Sequence, residues 1–313
     1  MPDLTWVTAV ARLRERREPG VLVTVATVRG HAPRRAGAKM VVGQSRTWGS
    51  IGGGNVEAVA VERAREWIAR RATEPELMEF ALNDKVVNQH GVQCCGGTVT
   101  VLLEPLAVPP AVAVFGVGHV GLELARILAR HDLDLHLIDT RPEMLTAERL
   151  APLDDAVAVI HTHHVPLLPE QILDRLPPGT HVLIMTHDHA EDAALCDAAL
   201  RAADLGTIGL IGSPAKWARF TKRLTTEGGH APEALARIKT PIGLADITGK
   251  EPAVIAVSVA ADLLRAFETD SSTGGRSVTG GRGSPGRGRA PAAGPGGSAG
   301  SGRAASPIRP AAN

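Results

Sequence analysis

The residues best suited to chemistry fall into two groups, one in each half of the chain. In the first, Gln93-Cys94-Cys95-Gly96-Gly97 places two thiols before two glycines. A thiolate there could ligate a soft or thiophilic metal, and the glycines let main chain crowd a ligand. Adjacent cysteines face opposite sides of an extended chain, so one would ligate and the other pack. The bland alternative is two buried apolar thiols. In the same small domain, Gly30–Met40 sets Arg34, Arg35 and Lys39 in a turn between strands, and Gly52-Gly53-Gly54 leads through Asn55 into a helix. The N–H groups of such a glycine turn can cradle an anion. Together these suit an anionic ligand that carries sulfur or a metal.

In the second group, Gly116-Val-Gly118-His-Val-Gly121 follows an apolar strand and opens a helix, and a second strand ends in Asp139. This layout is the dinucleotide fingerprint. Gly116 allows the tight turn, Gly118 lets the backbone approach a diphosphate, and Gly121 allows close helix packing. Asp139 would accept from a ribose hydroxyl, which favours NAD over NADP. Thr186-His187-Asp188-His189 and Gly212-Ser213-Pro214-Ala215-Lys216 each follow a later strand. His187 and His189, with Asp192, resemble a partial metal set, but Asp188 as a helix cap is the favoured reading. Ser213 and Lys216 could hold a phosphate, with Ser213 as a simple cap the alternative. His161, His163 and His164 are expected in a solvated loop, and Cys196 in the core.

These residues need elements to hold them. Apolar spacing predicts a helix over 4–17, strands at 21–28 and 39–43, a helix over 55–72 and strands at 76–82 and 98–104. Residues 104–110, EPLAVPP, read as a linker. Beyond it strands are expected at 111–116, 135–139, 156–160, 181–186 and 207–212. Helices are expected at 119–132, 190–204, 216–224 and 252–267. The fold class is therefore α/β. A small α+β domain (1–106) precedes a Rossmann-like doubly wound parallel sheet (111–268), and a disordered tail (269–313) follows.

Composition sharpens this. Residues 271–313 hold six of the 34 basic side chains and no acid, which leaves 28 basic against 33 acidic groups, a net of −5, in the remainder. The tail is Gly-, Pro-, Ser- and Arg-rich and lacks the apolar side chains that could offset ordering entropy. The chain has no tyrosine, which excludes a Tyr–Lys hydride-transfer pair, and only four Phe and four Trp for stacking bases. Nucleic acid is thus an unlikely partner. Three cysteines make no disulfide framework. No signal peptide or membrane-spanning run is evident, so a cytoplasmic address is expected.

Several segments together resemble the xanthine dehydrogenase accessory protein family (XdhC/CoxI). They are GHAPRRAGAKM (30–40), GSIGGGNVEA (49–58), QCCGG (93–97), VFGVGHVG (114–121), MTHDHAEDAALC (185–196), LIGSPAKWARF (210–220) and TPIGL…ITGKEPAVIAVSVAADLL (240–264). The match spans nearly all of 1–268. The resemblance implies a chaperone that binds molybdenum cofactor (molybdopterin), protects it during sulfuration and inserts it into a molybdenum hydroxylase apoenzyme such as xanthine dehydrogenase. It implies a cofactor-binding cysteine, carried here onto Cys94 or Cys95 as the molybdenum ligand. It further implies a cysteine desulfurase and a second copy of the chain as partners. The glycine turn in the family is usually followed by Cys or His, where this chain has Asn55. NAD(P) or another nucleotide could occupy the Rossmann cleft. The competing reading is an NAD(P)-dependent oxidoreductase with His187 or Lys216 as acid.

Overall fold

The computed structural model describes residues 5–82 and 97–275, the last six as main chain only. They belong to one compact unit that contains two sheets.

The first half forms α1 (Trp6–Glu15), β1 (Gly20–Arg29), β2 (Lys39–Gly43), β3 (Thr47–Gly49), α2 (Gly54–Arg70), β4 (Glu76–Leu82) and β5 (Gly97–Leu106). The strands make an antiparallel sheet in the order β3-β2-β1-β5-β4. Alternation divides its side chains between two faces. Val21, Val23, Val25, Met40 and Val42 pack with Val56, Ala60, Ala64 and Trp67 of α2. On the other face Val41 and Leu22 meet Ala9 and Leu13 of α1. The Thr5 hydroxyl caps α1 by accepting from Thr8 N–H. Arg71, in the left-handed region at φ +51°, ends α2.

The second half forms β6 (Ala111–Phe115), α3 (His119–Leu128), β7 (Asp134–Asp139), α4 (Ala147–Leu150), β8 (Val159–His164) and β9 (Thr180–Ile184). It continues with α5 (His189–Arg201), β10 (Leu205–Leu210), α6 (Pro214–Thr226), α7 (Pro232–Leu235), β11 (Ile238–Lys239) and α8 (Pro252–Gly275). All strands run parallel, in the order β11-β10-β9-β6-β7-β8. This is the doubly wound order, in which the chain winds out from β6 to one edge and then restarts at β9 toward the other. α3 and α8 bury Leu124, Leu128, Val259 and Leu263 on one face. α5 and α6 bury Leu195, Cys196, Phe220 and Leu224 on the other. Cys196 is core, as expected, and burial pushes its thiol up to about 12.

Two expectations need correction. The histidines at 161, 163 and 164 lie on β8, an edge strand, rather than in a loop. The strand starts at Val159 because its register follows β7, with His136 opposite His161. And α8 runs to Gly275, well past 267, so residues 269–275 are helical. Residues 276–313 lie outside the described residues.

The two sheets are joined through Arg17, whose guanidinium pairs with Asp134 at the start of β7 and donates to the Pro109 carbonyl (2.7 Å). Arg14 pairs with Asp132 beside it (2.8 Å). Three imidazoles share this joint. His136 stacks on His161 (4.5 Å between centroids) and lies 3.1 Å from His163 through Nδ1 and Nε2. Burial, the two neighbouring imidazoles and Arg17 push His136 down to about 4, and His161 and His163 are lowered too. Below the ordinary value of 6.5 the unfolded chain therefore takes up protons that the folded chain refuses. Stability should be flat above that value and fall as pH drops from there to about 4. His136 alone should contribute a loss of about 2–3 kcal/mol. Urea denaturation across this range checks it: His136→Phe should flatten the slope, and an unchanged slope would be inconsistent with this assignment.

Candidate functional site

Three segments of the first half meet at one end of the antiparallel sheet. They are the turn after β1, the glycine turn after β3, and the start of β5. Gly97 lies against the first of these: a Cβ there would sit 2.4 Å from the His31 carbonyl oxygen and 2.6 Å from that of Arg29. Gly52 does the same, with a would-be Cβ 2.7 Å from Pro33 Cγ and 3.5 Å from Arg34 Cγ. Gly52, Gly53 and Gly54 all have positive φ (+128°, +71° and +64°), a run that side-chain-bearing residues would not follow without strain. Cys94, Cys95 and Gly96, the proposed thiol site, lie outside the described residues.

The glycine turn differs from its expected role as a phosphate cradle. Its anion is already present, and it is Glu57. One carboxylate oxygen, Oε2, accepts from Ser50 Oγ (2.6 Å), Ile51 N–H (3.1 Å) and Gly53 N–H (3.0 Å). The Ser50 oxygen in turn accepts from Gly52 N–H (3.1 Å). An acid in the first helical turn is the sequence signal for this, by the dipole and the unpaired N–H groups there. A phosphate in the turn would confront that carboxylate. Space nevertheless remains above the turn, since no described atom lies within 4 Å of a Cβ built on Gly53. Asn55, next along α2, is only 7% exposed, and its Oδ1 has no hydrogen-bond partner among the described residues.

The expected cation trio also divides. Arg34 and Arg35 are exposed in the turn after β1. Lys39 instead donates to Thr24 Oγ1 (2.9 Å) and sits 5.3 Å from the Trp6 ring centroid. It therefore lies on the α1 face of the sheet, opposite α2, because alternation along β2 sends Lys39 with Val41 and away from Met40.

In the parallel sheet the fingerprint loop sits where the winding reverses, between β6 and β9. Gly121 abuts the loop, a Cβ there falling 2.1 Å from the Gly116 carbonyl oxygen, whereas a Cβ on Gly118 would meet nothing within 4 Å. Close packing at Gly121 and open approach at Gly118 are the features the spacing predicts.

Asp139 is buried and heavily bonded. Its carboxylate accepts from Val117 N–H (2.8 Å), Arg141 N–H (3.0 Å) and the Arg141 guanidinium through Nε (2.9 Å) and Nη2 (3.0 Å). Burial alone would raise its carboxyl, but these donors hold it below the usual range. A ribose hydroxyl would have to displace one of them. Arg149 of α4 holds the same loop through the Val117 carbonyl (3.1 Å). Sequence reasoning passed over both arginines because no spacing rule singles them out.

The two later loops are clamped together by a buried ion pair. Lys216 Nζ lies 2.5 Å from Asp192 Oδ2 and 2.9 Å from the Ile211 carbonyl oxygen. The other Asp192 oxygen accepts from Thr186 N–H (3.1 Å) and Oγ1 (2.8 Å). Lys216 and Asp192 are thus both committed to protein partners, whereas His187 and His189 are exposed. Asp188 caps α5 through Ala190 and Glu191 N–H, and Ser213 caps α6 through Lys216 N–H. Glu191, its carboxyl raised chiefly by burial, reaches from α5 to Thr140 Oγ1 beyond β7 (3.4 Å). Since β6 lies between β9 and β7, this contact spans the mouth of the crevice.

Comparison with known proteins fits this architecture. Residues 112–263 match the XdhC Rossmann domain, and residues 13–81 match the XdhC and CoxI family. The uncharacterized protein YqeB of Escherichia coli K12 is 28% identical over 258 residues, covering 82% of this chain and 45% of YqeB. A probable xanthine dehydrogenase subunit from Bacillus subtilis 168 is 28% identical over 170 residues, 54% of this chain and 46% of that protein. The chain thus spans less than half the length of these curated relatives. A solved structure of a xanthine dehydrogenase from Bacillus halodurans aligns with a TM-score of 0.43 at 18% identity, covering 85% of this chain and 96% of that one. With both halves matched in order, the chain belongs to the XdhC and CoxI family.

Proposed function

We propose that this chain is an accessory factor for a molybdenum hydroxylase of the xanthine dehydrogenase kind. In this reading it binds molybdenum cofactor, shields it and hands it to the apoenzyme, with no turnover of its own. Family membership and the likeness to the Bacillus subtilis protein support the accessory role. The observation that carries the cofactor reading is the convergence of three loops at one end of the antiparallel sheet, where the glycine turn leads directly into Asn55 with its buried, unpartnered acceptor. When bound, the cofactor supplies an oxo-molybdenum centre on a dithiolene-bearing pterin with a terminal phosphate. The exposed Arg34 and Arg35 guanidiniums are placed to attract that phosphate, in place of the glycine turn occupied by Glu57. Cys94 or Cys95 is the proposed thiolate at the metal. Handover then needs only tighter binding by the acceptor, about 1.4 kcal/mol for each tenfold preference. A cysteine desulfurase and a second copy of the chain are further partners in this reading.

The chain purified from a molybdopterin-making host should contain molybdenum and pterin. It should activate apo-hydroxylase beyond what equal free cofactor achieves. Equal activation without it would overturn the proposal.

The strand order and the open Gly118 favour a second ligand, a nucleotide such as NAD(P), in the other half. Gly118→Val fills that space at a folding cost of about 1 kcal/mol, since Gly118 is the N-cap of α3. Calorimetry should show nucleotide affinity lost in this variant. Retained affinity would place the nucleotide elsewhere.

A further inference from the structure

From Asn55 we infer that the site over the glycine turn reads the neutral hydrogen-bond-donor edge of a fused pyrimidinone ring, the amide and amino N–H groups of a pterin, and does not read a phosphate. This rests on the proposed cofactor reading and names which part of the ligand this end of the site takes.

Two independent observations lead there. Asn55 is 7% exposed, and its Oδ1 has no partner among the described residues. A buried carbonyl without a donor is costly, and native folds rarely retain one without a reason. What it lacks is a donor, so a ligand that completes it must present an N–H or O–H. Phosphate at neutral pH offers chiefly acceptors. The second observation is electrostatic. Ile51 and Gly53 N–H, which could otherwise receive an anion, both donate to Glu57 Oε2, and Gly52 N–H donates to Ser50 Oγ. The turn therefore presents a filled anion position with a carboxylate in it, which repels a second anion. The main chain at Gly53 is open to an approaching group, with no described atom within 4 Å of a Cβ built there. An open backbone beside a buried acceptor suits a flat ring lying on the glycines with its donor edge toward Asn55.

A residue kept unsatisfied for a ligand and one kept for structure respond oppositely to substitution. Asn55→Leu removes the orphan carbonyl while keeping the number and branching of side-chain heavy atoms, and Asn55→Ala removes it without demanding that a larger group fit. Free pterin is titrated into the full chain and read by quenching of its fluorescence, alongside the melting temperature of the ligand-free protein. At least one of the two variants should melt at or above the wild-type temperature while binding pterin at least tenfold more weakly, and inorganic phosphate should not displace pterin from the wild type. If both variants bind pterin as the wild type does, Asn55 has no part in recognition and the inference falls. It falls too if phosphate displaces pterin, or if both variants melt several degrees lower with affinity unchanged. A wild-type chain that carries molybdenum but binds no free pterin overturns this inference alone. A chain that carries neither overturns the proposed function.

Discussion

Lys216→Met should lower the unfolding free energy by about 3–5 kcal/mol, because it strands a carboxylate that water cannot reach. Asp192 is fully buried and the Lys216 side chain is 8% exposed, so neither charge has solvent as a fallback. Methionine keeps the aliphatic stem near Phe220, whose ring centroid lies 5.4 Å from the ammonium, so the loss isolates charge from packing. For a chain of this size the melting temperature should drop by about 10 °C. Thr186 should be released as well, since Asp192 is its anchor. The double variant Lys216→Met/Asp192→Leu should recover at least half of the loss, because a matched apolar pair often replaces a buried ion pair with little net cost. If the single variant costs under about 1 kcal/mol, the pair is solvated in solution.

Gly116→Ala should be nearly as damaging, at about 3–4 kcal/mol, through two terms that add. The φ of +98° strains any residue with a Cβ. The added methyl would also stand 2.4 Å from the Met185 carbonyl oxygen and 2.7 Å from Thr186 Cα. Those are main-chain atoms at the end of β9, held in place by the hydrogen bond from Met185 N–H to the Phe115 carbonyl (2.8 Å), so they cannot yield cheaply. Gly118→Ala is the control: it meets nothing and has φ −69°, so its cost should stay near 1 kcal/mol. Urea midpoints for the pair should therefore differ widely. Equal midpoints would show that the loop relaxes away from β9.

Much of the scaffold was legible because its signals are local. The apolar runs of β6, β7 and β9 and the amphipathic α3 and α5 follow from period and length, and the fingerprint glycines sit where their spacing requires. Thr47–Gly49 escaped because a three-residue edge strand has no periodicity to read. The histidines of β8 escaped because they are poor strand formers, and only pairing with β7 settles their place. The same limit governs the sites. Glu57 and Arg141 differ from dozens of other polar residues only through partners that folding supplies, and Asn55, marked by its place after the glycine turn, shows its unpartnered acceptor only in the fold. Lys216 and Asp192 were each noticed, but they lie 24 positions apart and nothing in the sequence couples them.

The Arg17 joint also governs how the molecule can move. A guanidinium that grips both the linker carbonyl at Pro109 and Asp134 of the far sheet acts as a pivot pin. Rotations about it leave both contacts intact, whereas translations apart would tear a half-buried charge from its partner. Any opening of the two halves is thus a swing rather than a separation. Its axis passes beside three imidazoles that gain charge on acidification, and two of them, His136 and His161, then repel the same pin. Acid should loosen this bearing before either sheet comes apart.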